Sequence, residues 1–209
     1  TEAMLCAFEA TGDEKYLARA RSLAHRICVG LASQAEGGLV WEHFSEDWTI
    51  DYEFNLDDKQ HLIRPWGFLP GHSAEWAKLL CILHRLQPDG AKEDWIIPAA
   101  ENLFDHAVRC WDTEGGGGIL YTFGPDGEVC DDNKYMWPHP EAFAAALLLH
   151  KATGSAQYMD FYCTCWQYSW EHLADAEYGG WYGVLDRANE KVSNPDYGAG
   201  DVKAWFSDY

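Results

Sequence analysis

The chain has 209 residues with 34 acidic and 15 basic side chains, and its net charge of −19 argues against nucleic acids and anionic membrane surfaces as partners. Hydrophobic residues at 47% and aromatic residues at 15% exclude a disordered chain and predict one domain with a substantial core. The seven cysteines are scattered and no apolar run reaches membrane-spanning length, so we expect a reduced, cytoplasmic protein.

Helical periodicity predicts six helices in three pairs. They cover residues 2–10 and 14–30, residues 72–86 and 92–111, and residues 141–152 and 156–174. Asp13 is predicted to cap the second helix, and Pro98 to kink the fourth helix or delay its start. Residues 201–209 predict the beginning of a further loop and helix.

A glycine-rich turn with strand-forming residues follows each pair of helices. The predicted strands lie at residues 39–48, 119–123 and 181–185. The Gly-Pro-Asp-Gly stretch at residues 124–127 is a strong turn and predicts a β-hairpin. The order of helix, turn, helix and glycine-rich hairpin therefore occurs three times, and ATGDEKY at residues 10–16 is echoed by ATGSAQY at residues 152–158.

Repeated helical pairs cannot bury their apolar faces singly, so they stack into a solenoid or close into a ring. Three pairs predict an all-α domain over residues 1–209 that makes about half of a closed toroid. The chain starts inside a helical pattern at Thr1 and stops at Tyr209 without a terminating signal, which indicates a fragment of a longer protein.

The stretch RPWGFLPGHSAEWAKLL, from residue 64 to residue 80, holds the strongest candidate site. Because Pro70 and Gly71 disfavour a helix interior, the helix is predicted to begin beside His72. Glu75 follows three residues later, on the same side of the first turn. The positive end of the helix dipole favours a neutral imidazole, which can take up a proton and give it back. The plain alternative is a histidine that only caps the helix.

Trp137 and Glu141 repeat this arrangement of an aromatic ring, prolines and a carboxylate at the start of the third pair. We therefore predict that both face the same cavity as His72. A glutamate in a first helical turn also serves as a dipole partner, which is the plain alternative for Glu141. Arg64 lies in an otherwise apolar loop, where it is either a buried ion-pair partner or a clamp on a substrate.

Other site chemistries have little support in the sequence. No pair of histidines stands at metal-ligand spacing on one helix with a carboxylate partner, so no metal site is predicted. A nucleophile elbow, a phosphate loop and a dinucleotide fingerprint are all missing from the sequence. What remains is a mechanism that uses histidine, carboxylate and arginine side chains without a cofactor.

Three stretches carry a resemblance to a known family. RPWGFLPGHSAEWAKLL, DNKYMWPHPEAFAAALLL at residues 132–149 and the Gly-Gly-Trp of residues 179–181 resemble the N-acylglucosamine 2-epimerase superfamily. The closest likeness is to its aldose–ketose isomerase branch, the D-mannose and sulfoquinovose isomerases. The likeness spans nearly the whole chain and implies a barrel of six helical hairpins, the (α/α)6 toroid, of about twice this length.

The resemblance implies a role for each candidate residue. His72 matches the catalytic acid/base histidine, and Glu75 matches the glutamate that supports it and contacts sugar hydroxyls. Arg64 matches an arginine of the same motif and is expected to bind substrate. Trp137 and Glu141 match the aromatic ring and the acid of the second family motif, which also bind substrate.

Two features qualify this likeness. Family members often carry glutamine where this chain has His139, so the resemblance does not specify the fine substrate preference. A second catalytic histidine is expected immediately after Tyr209. Since that residue and one wall of the cavity are missing, the 209 residues alone are not expected to isomerise sugars. Their open apolar edges are expected to invite aggregation or pairing with a second copy.

The reaction implied by the resemblance interconverts a free aldose and a ketose, of the mannose-to-fructose type, through a cis-enediol. One imidazole removes the C2 proton, and return of a proton at C1 yields the ketose. Return at C2 on the other face would give a 2-epimer, which is the alternative within the family. Two other classes stay open: an (α/α)6 glycoside hydrolase or lyase with Glu75 and Glu141 as its acids, and a non-catalytic sugar-binding module.

Overall fold

The computed structural model describes residues 1–61 and 63–193. All six predicted helices are present in this part of the chain, and consecutive helices pack in pairs. Their bounds are α1 Glu2–Thr11, α2 Glu14–His25, α3 Pro70–Leu86, α4 Ile96–Arg109, α5 Pro138–Thr153 and α6 Ala156–Tyr168. The further helix predicted to begin within residues 201–209 lies outside the described residues.

Local chemistry sets the helix ends. The Asp13 carboxylate accepts the backbone N–H of Lys15 at 3.1 Å, which confirms the predicted cap. Pro98 is the third residue of α4, so this helix starts later than predicted and is not kinked. The prediction that α3 begins beside His72 was two residues late, because Pro70 occupies its first position, where proline loses no helical hydrogen bond.

Helix α3 is central to the packing. It contacts α4 and α5 along its length and also touches α1 and α2. One apolar cluster takes side chains from all six helices. Its members include Leu5, Ala20, Leu80, Phe104, Leu149 and Tyr158. The pairs of helices therefore share a single core, as expected for repeats that cannot bury their apolar faces alone.

The loops between the pairs carry short strands. Strand β1 (Thr122–Phe123) pairs antiparallel with β2 (Val129–Asp131), which confirms the predicted β-hairpin. Strand β3 (Lys134–Tyr135) pairs with β4 (Val184–Leu185), so the strand predicted at residues 181–185 is present but is joined to the loop of the preceding repeat. This pairing is non-local, and no turn signal in the sequence announces it.

The hairpin predicted at residues 39–48 is wrong in its extent, because only an isolated bridge between Phe44 and Ile50 forms there. The Asp47 carboxylate accepts the backbone N–H of Thr49 at 3.1 Å and the Ser45 hydroxyl at 2.6 Å. Short polar side chains that bond to nearby backbone compete with a strand ladder. The side-chain turn therefore replaces most of the expected pairing.

A buried lysine holds the later loops together. The ammonium of Lys134 donates to the backbone carbonyls of Gly115 at 2.9 Å and Arg187 at 2.8 Å and to the Asn189 amide oxygen at 2.9 Å. It also lies 3.2 Å from the Asp112 carboxylate, and its side chain is wholly buried. A buried charge is tolerated only when it is paired and hydrogen-bonded in this way.

The starts of α3 and α5 meet at a close contact. A β carbon placed on Gly71 would overlap the indole ring of Trp137 and lie 2.9 Å from the Pro138 ring. Further upstream, Gly67 has φ +120° and lies against the Phe123 backbone, where a β carbon would come within 2.6 Å of the carbonyl oxygen. The first turns of α3 and α5 therefore lie side by side, with the β1–β2 hairpin beside them.

We expect Gly71→Ala to lower the free energy of unfolding by about 1–3 kcal/mol, because the added methyl group must displace the Trp137 ring. Gly30→Ala is the matched control. Apart from adjacent helix backbone, its β carbon would approach the His25 carbonyl oxygen at 3.9 Å and no other described atom within 4 Å, so this change should leave stability unchanged or raise it by up to about 1 kcal/mol. Urea denaturation of both variants measures this, and equal effects at the two positions would contradict the contact.

Candidate functional site

His72 sits in the first turn of α3, held by groups from two other elements. Its Nδ1 lies 2.9 Å from Oε2 of Glu42, which comes from the loop after α2 and has only 17% of its side chain exposed. Its ring centroid lies 5.0 Å from that of Trp137, with the ring planes tilted by 41°. A carboxylate and an indole therefore fix the half-buried imidazole, and the plain reading of His72 as a helix cap is wrong.

An open cleft of about 360 Å³ lies beside this histidine. Carboxylates and apolar side chains line it together. They include Glu2, Val40, Glu42, Glu75 and Trp76 as well as His72. The first turn of α3, the loop after α2 and the start of α1 thus build one concave surface that combines apolar walls with a few polar groups, which is the usual composition of a small-molecule site.

The carboxylates around His72 govern its protonation. Burial alone would lower the pKa of His72, but the hydrogen bond and charge of Glu42, together with the charges of Glu75 and Glu141, raise it above its ordinary value. The expectation that the helix start favours the neutral form is therefore wrong, since three nearby carboxylates outweigh it. A raised pKa suits a group that takes up a proton and holds it briefly as an imidazolium.

Glu141 is buried one helix away, in an ion pair that the sequence did not indicate. The ammonium of Lys78 lies 2.8 Å from its Oε2, and it also lies 3.3 Å from Oε1 of Glu2. Burial raises the pKa of Glu141, while the hydrogen bond and charge of Lys78 oppose that rise. The structure thus brings Glu141 close enough to His72 to influence its charge, though Glu141 does not line the cleft itself.

His139 does not point toward this cleft. Its ring is fully buried and stacks on Tyr168 at 5.1 Å between ring centroids. Nδ1 lies 2.9 Å from the Tyr135 carbonyl, and Nε2 accepts the backbone N–H of Ile119 at 3.1 Å, which fixes a neutral ring with its proton on Nδ1. Burial lowers its pKa to about 4. Both ring nitrogens therefore bind backbone atoms, and His139 contributes to packing.

Arg64 lies on the surface and does not line the cleft. Its backbone carbonyl accepts from the Asn55 amide at 2.7 Å, and its backbone N–H donates to His61 Nδ1 at 3.2 Å. The reading as a buried ion-pair partner is wrong, since the side chain is exposed. Its role as a substrate clamp stays a prediction.

Sequence reasoning missed two members of this cluster. Lys78 stands within the motif of residues 64–80, one helical turn after Glu75, but a lysine on an amphipathic helix is usually solvated and gave no signal. Glu42 lies in a loop with no motif, and only the fold brings it to His72. Glu75, which the resemblance assigned to support His72, raises its pKa through charge, and Glu42 makes a hydrogen bond to the ring.

Metal binding and membrane spanning can both be assessed for residues 1–61 and 63–193. Within these ranges no group of three or more histidine, cysteine, aspartate or glutamate side chains is placed to hold a metal ion. In the same part of the chain, every helix is too short or too polar to cross a membrane.

The family model for N-acylglucosamine 2-epimerase (GlcNAc 2-epimerase) matches residues 1–203. The chain belongs to this family. A D-mannose isomerase of Marinomonas mediterranea is 48% identical over 200 residues, which cover 95% of this chain and 50% of that protein. A D-mannose isomerase of Thermobifida fusca is 36% identical over 186 residues. The chain spans about half the length of the curated relatives it matches.

Solved structures of similar proteins show the same arrangement of helices. A crystal structure of D-mannose isomerase superposes with a TM-score of 0.87 at 47% identity, covering 92% of this chain and 48% of that one. Cellobiose 2-epimerase from Spirochaeta thermophila superposes with a TM-score of 0.75 at 23% identity, and the match covers 46% of that protein. A likeness at this identity shows the fold alone. The three helical pairs therefore make about half of an (α/α)6 barrel, which confirms the predicted fold class.

The buried pair of Lys78 and Glu141 generates a stability prediction. Lys78→Met should lower the free energy of unfolding at pH 7 by about 3–5 kcal/mol, because it leaves the Glu141 carboxylate buried without its cation. The variant lets the pKa of Glu141 rise further above 4.5. The folded state then binds a proton that the unfolded state releases, so the stability loss grows as pH rises from about 4.5 toward 7.

Urea denaturation of the wild type and of Lys78→Met at pH 5 and pH 7 measures this difference. The double variant Lys78→Met/Glu141→Gln removes the buried charge and should recover most of the lost stability. A loss of equal size at both pH values, or a double variant no more stable than the single one, would contradict the buried pair.

Proposed function

We propose that the protein to which these residues belong is an aldose–ketose isomerase that interconverts a free aldose and its ketose, with mannose and fructose as the leading pair. The observation that best supports this proposal is a histidine at a helix start that lines the cleft and is hydrogen-bonded through Nδ1 to a carboxylate. The 48% identity to a D-mannose isomerase supports the choice of sugar. The activity is proposed for the whole protein, since this chain spans about half of its relatives.

In the proposed reaction His72 acts first as a base on the open-chain aldose. Its Nε2 takes the proton from C2, whose acidity comes from the neighbouring C1 carbonyl. The electron pair of the C2–H bond forms the C1–C2 double bond, the π pair of the C1 carbonyl moves to O1, and O1 takes a proton from solvent to give the cis-enediol. The imidazolium then returns its proton to C1 while the electron pair of the O2–H bond forms the C2 carbonyl of the ketose and solvent takes the O2 proton.

The other candidate residues are proposed to bind the sugar around this proton transfer. Glu75 lines the cleft beside His72 and is placed to accept hydrogen bonds from sugar hydroxyls. Trp137 supports the imidazole from one side. Glu141 contributes negative charge from its buried position, with its carboxylate fixed by Lys78. Arg64 is proposed as a contact to the substrate from the loop before α3.

The charges around the cleft favour an uncharged substrate. Glu2, Glu42 and Glu75 line it and Glu141 lies behind them, and the ammonium of Lys78 is paired with Glu141 and Glu2. An anionic group such as a phosphate or a sulfonate would meet this excess of carboxylates at short range, where repulsion is costly. A neutral monosaccharide avoids that cost, and its hydroxyls can donate to the same oxygens.

A sugar 2-epimerase is the second candidate, because family membership supports it equally well and the same enediol leads to it. A glycoside hydrolase that uses Glu75 and Glu141 as its acid pair is less favoured, since Glu141 is buried in an ion pair with Lys78. A non-catalytic sugar-binding module would have no use for a histidine whose carboxylate partner is built into the fold.

We propose a cytoplasmic setting on the basis of the cysteines. All seven lie in the described part of the chain, and none of them is joined in a disulfide. Unpaired thiols persist in a reducing compartment. Burial raises the pKa of four of them, Cys28, Cys81, Cys110 and Cys165, well above the ordinary value.

Substitution of His72 tests this proposal. In the protein with its whole barrel, His72→Gln should lower kcat for mannose by a factor of order 10²–10⁴, since glutamine cannot exchange a proton at the sugar carbon. His84→Gln, on the same helix three turns later and away from the cleft, is the control and should change kcat less than twofold. Retention of kcat within a few-fold in His72→Gln would refute the assignment.

A further inference from the structure

We infer that Glu42 is a positioning residue for the reaction: its carboxylate holds the imidazole of His72 with a proton on Nδ1 and so presents Nε2 to the sugar. The inference rests on the proposed function for its chemical purpose. It assigns a role to a residue that no sequence motif marks, because Glu42 lies in the loop after α2 and reaches His72 only through the fold.

The contact with Glu42 determines which ring nitrogen of His72 carries the proton when the ring is neutral. A carboxylate only accepts hydrogen bonds, so the contact of 2.9 Å between Nδ1 of His72 and Oε2 of Glu42 requires the proton to sit on Nδ1. The neutral ring then carries its lone pair on Nε2. Within the described residues Nε2 has no hydrogen-bond partner, and the ring borders the cleft, so this nitrogen is the one available to a substrate.

The surroundings of Glu42 restrict the movement of its carboxylate next to His72. Its side chain is 17% exposed, and it follows Trp41, whose indole is buried and donates to the Asp51 carbonyl at 3.1 Å. The carboxylate is therefore carried on an anchored piece of loop and cannot easily turn away to solvent. On the opposite side the ring of Trp137 limits rotation of the imidazole. A reacting nitrogen held in place in this way needs little reorganisation during proton transfer.

The negative charge of Glu42 also favours the protonated form of His72 that the reaction produces. When Nε2 takes up the substrate proton, the ring becomes an imidazolium that the carboxylate stabilises directly. The titratable groups that face His72 are Glu42 through its hydrogen bond and Glu75 and Glu141 through their charge. Glu42 is the one in contact, so its removal should affect the ring most.

Nuclear magnetic resonance on the protein with its whole barrel, labelled with 15N-histidine, tests the arrangement without any substrate. The signals of His72 are assigned by their loss in His72→Gln. At a pH where the ring is neutral, we expect the proton on Nδ1 in the wild type. In Glu42→Gln the pKa of His72 should fall, because the charge that raises it is gone. A wild-type ring protonated on Nε2, or a pKa unchanged in Glu42→Gln, would overturn the inference.

Matched variants keep this test decisive. Glu46→Gln makes the same change of charge four residues away on an exposed side chain and should leave the pKa of His72 where it is. Glu42→Asp keeps the charge on a shorter side chain and should give a pKa between those of the wild type and Glu42→Gln. If Glu42→Gln does not fold, Glu42→Asp carries the test, and a pKa equal to that of the wild type would overturn the inference.

Kinetics on the protein with its whole barrel supply the second readout. Glu42→Gln should lower kcat/KM for mannose by about 10- to 10³-fold, and the acidic limb of its pH profile should move to lower pH with the pKa of His72. A loss of activity with an unmoved acidic limb would indicate a merely structural role and overturn the inference. If the wild type has no isomerase activity, the proposed function fails, while the resonance measurement still decides the position of the proton.

Discussion

The close approach of α3 and α5 at Gly71 is the contact on which the site depends. Because residue 71 has no side chain, the indole of Trp137 can lie against the first turn of α3 and next to the ring of His72. The same approach sets α5 beside α3, so that Lys78 can reach Glu141. A larger residue at this position would separate the two helix starts and with them the two halves of the cluster.

Electrostatics then sets what this cluster can do. Burial and the carboxylates act in opposite directions on His72, and the carboxylates win. On Glu141 burial is the stronger effect, although Lys78 opposes it. Side chains with shifted pKa values gather at functional sites more often than elsewhere, and a histidine with a raised pKa suits the proton transfer proposed above.

Much of the fold follows from local signals in the sequence. The Asp13 cap, the Gly-Pro-Asp-Gly turn and the apolar spacing of the helices each act over a few residues, and the structure agrees with all three. Predictions of secondary structure failed where contacts other than these local signals determine the conformation. The pairing of β3 with β4 joins two repeats, and the loop of residues 39–48 forms a side-chain turn in place of a hairpin.

The residues of the candidate site likewise fall into those that local sequence signals indicate and those that only the fold reveals. His72 and Trp137 could be found because their motifs recur at helix starts, and the fold brings them into contact. Glu42 and Lys78 could not, since nothing in a loop glutamate or a helical lysine shows which partner it will meet. His139 was singled out by a departure from a family pattern, yet its two bonds to backbone give it a role in packing.

The proposed function makes this cleft part of a sugar isomerase that works by proton transfer through an enediol. Incubation of the protein, with its whole barrel, with mannose in heavy water is the decisive experiment. We expect fructose with deuterium at C1, because the proton taken by His72 exchanges with solvent before it is returned. Recovery of unlabelled mannose alone, or a 2-epimer labelled at C2 without fructose, would contradict it.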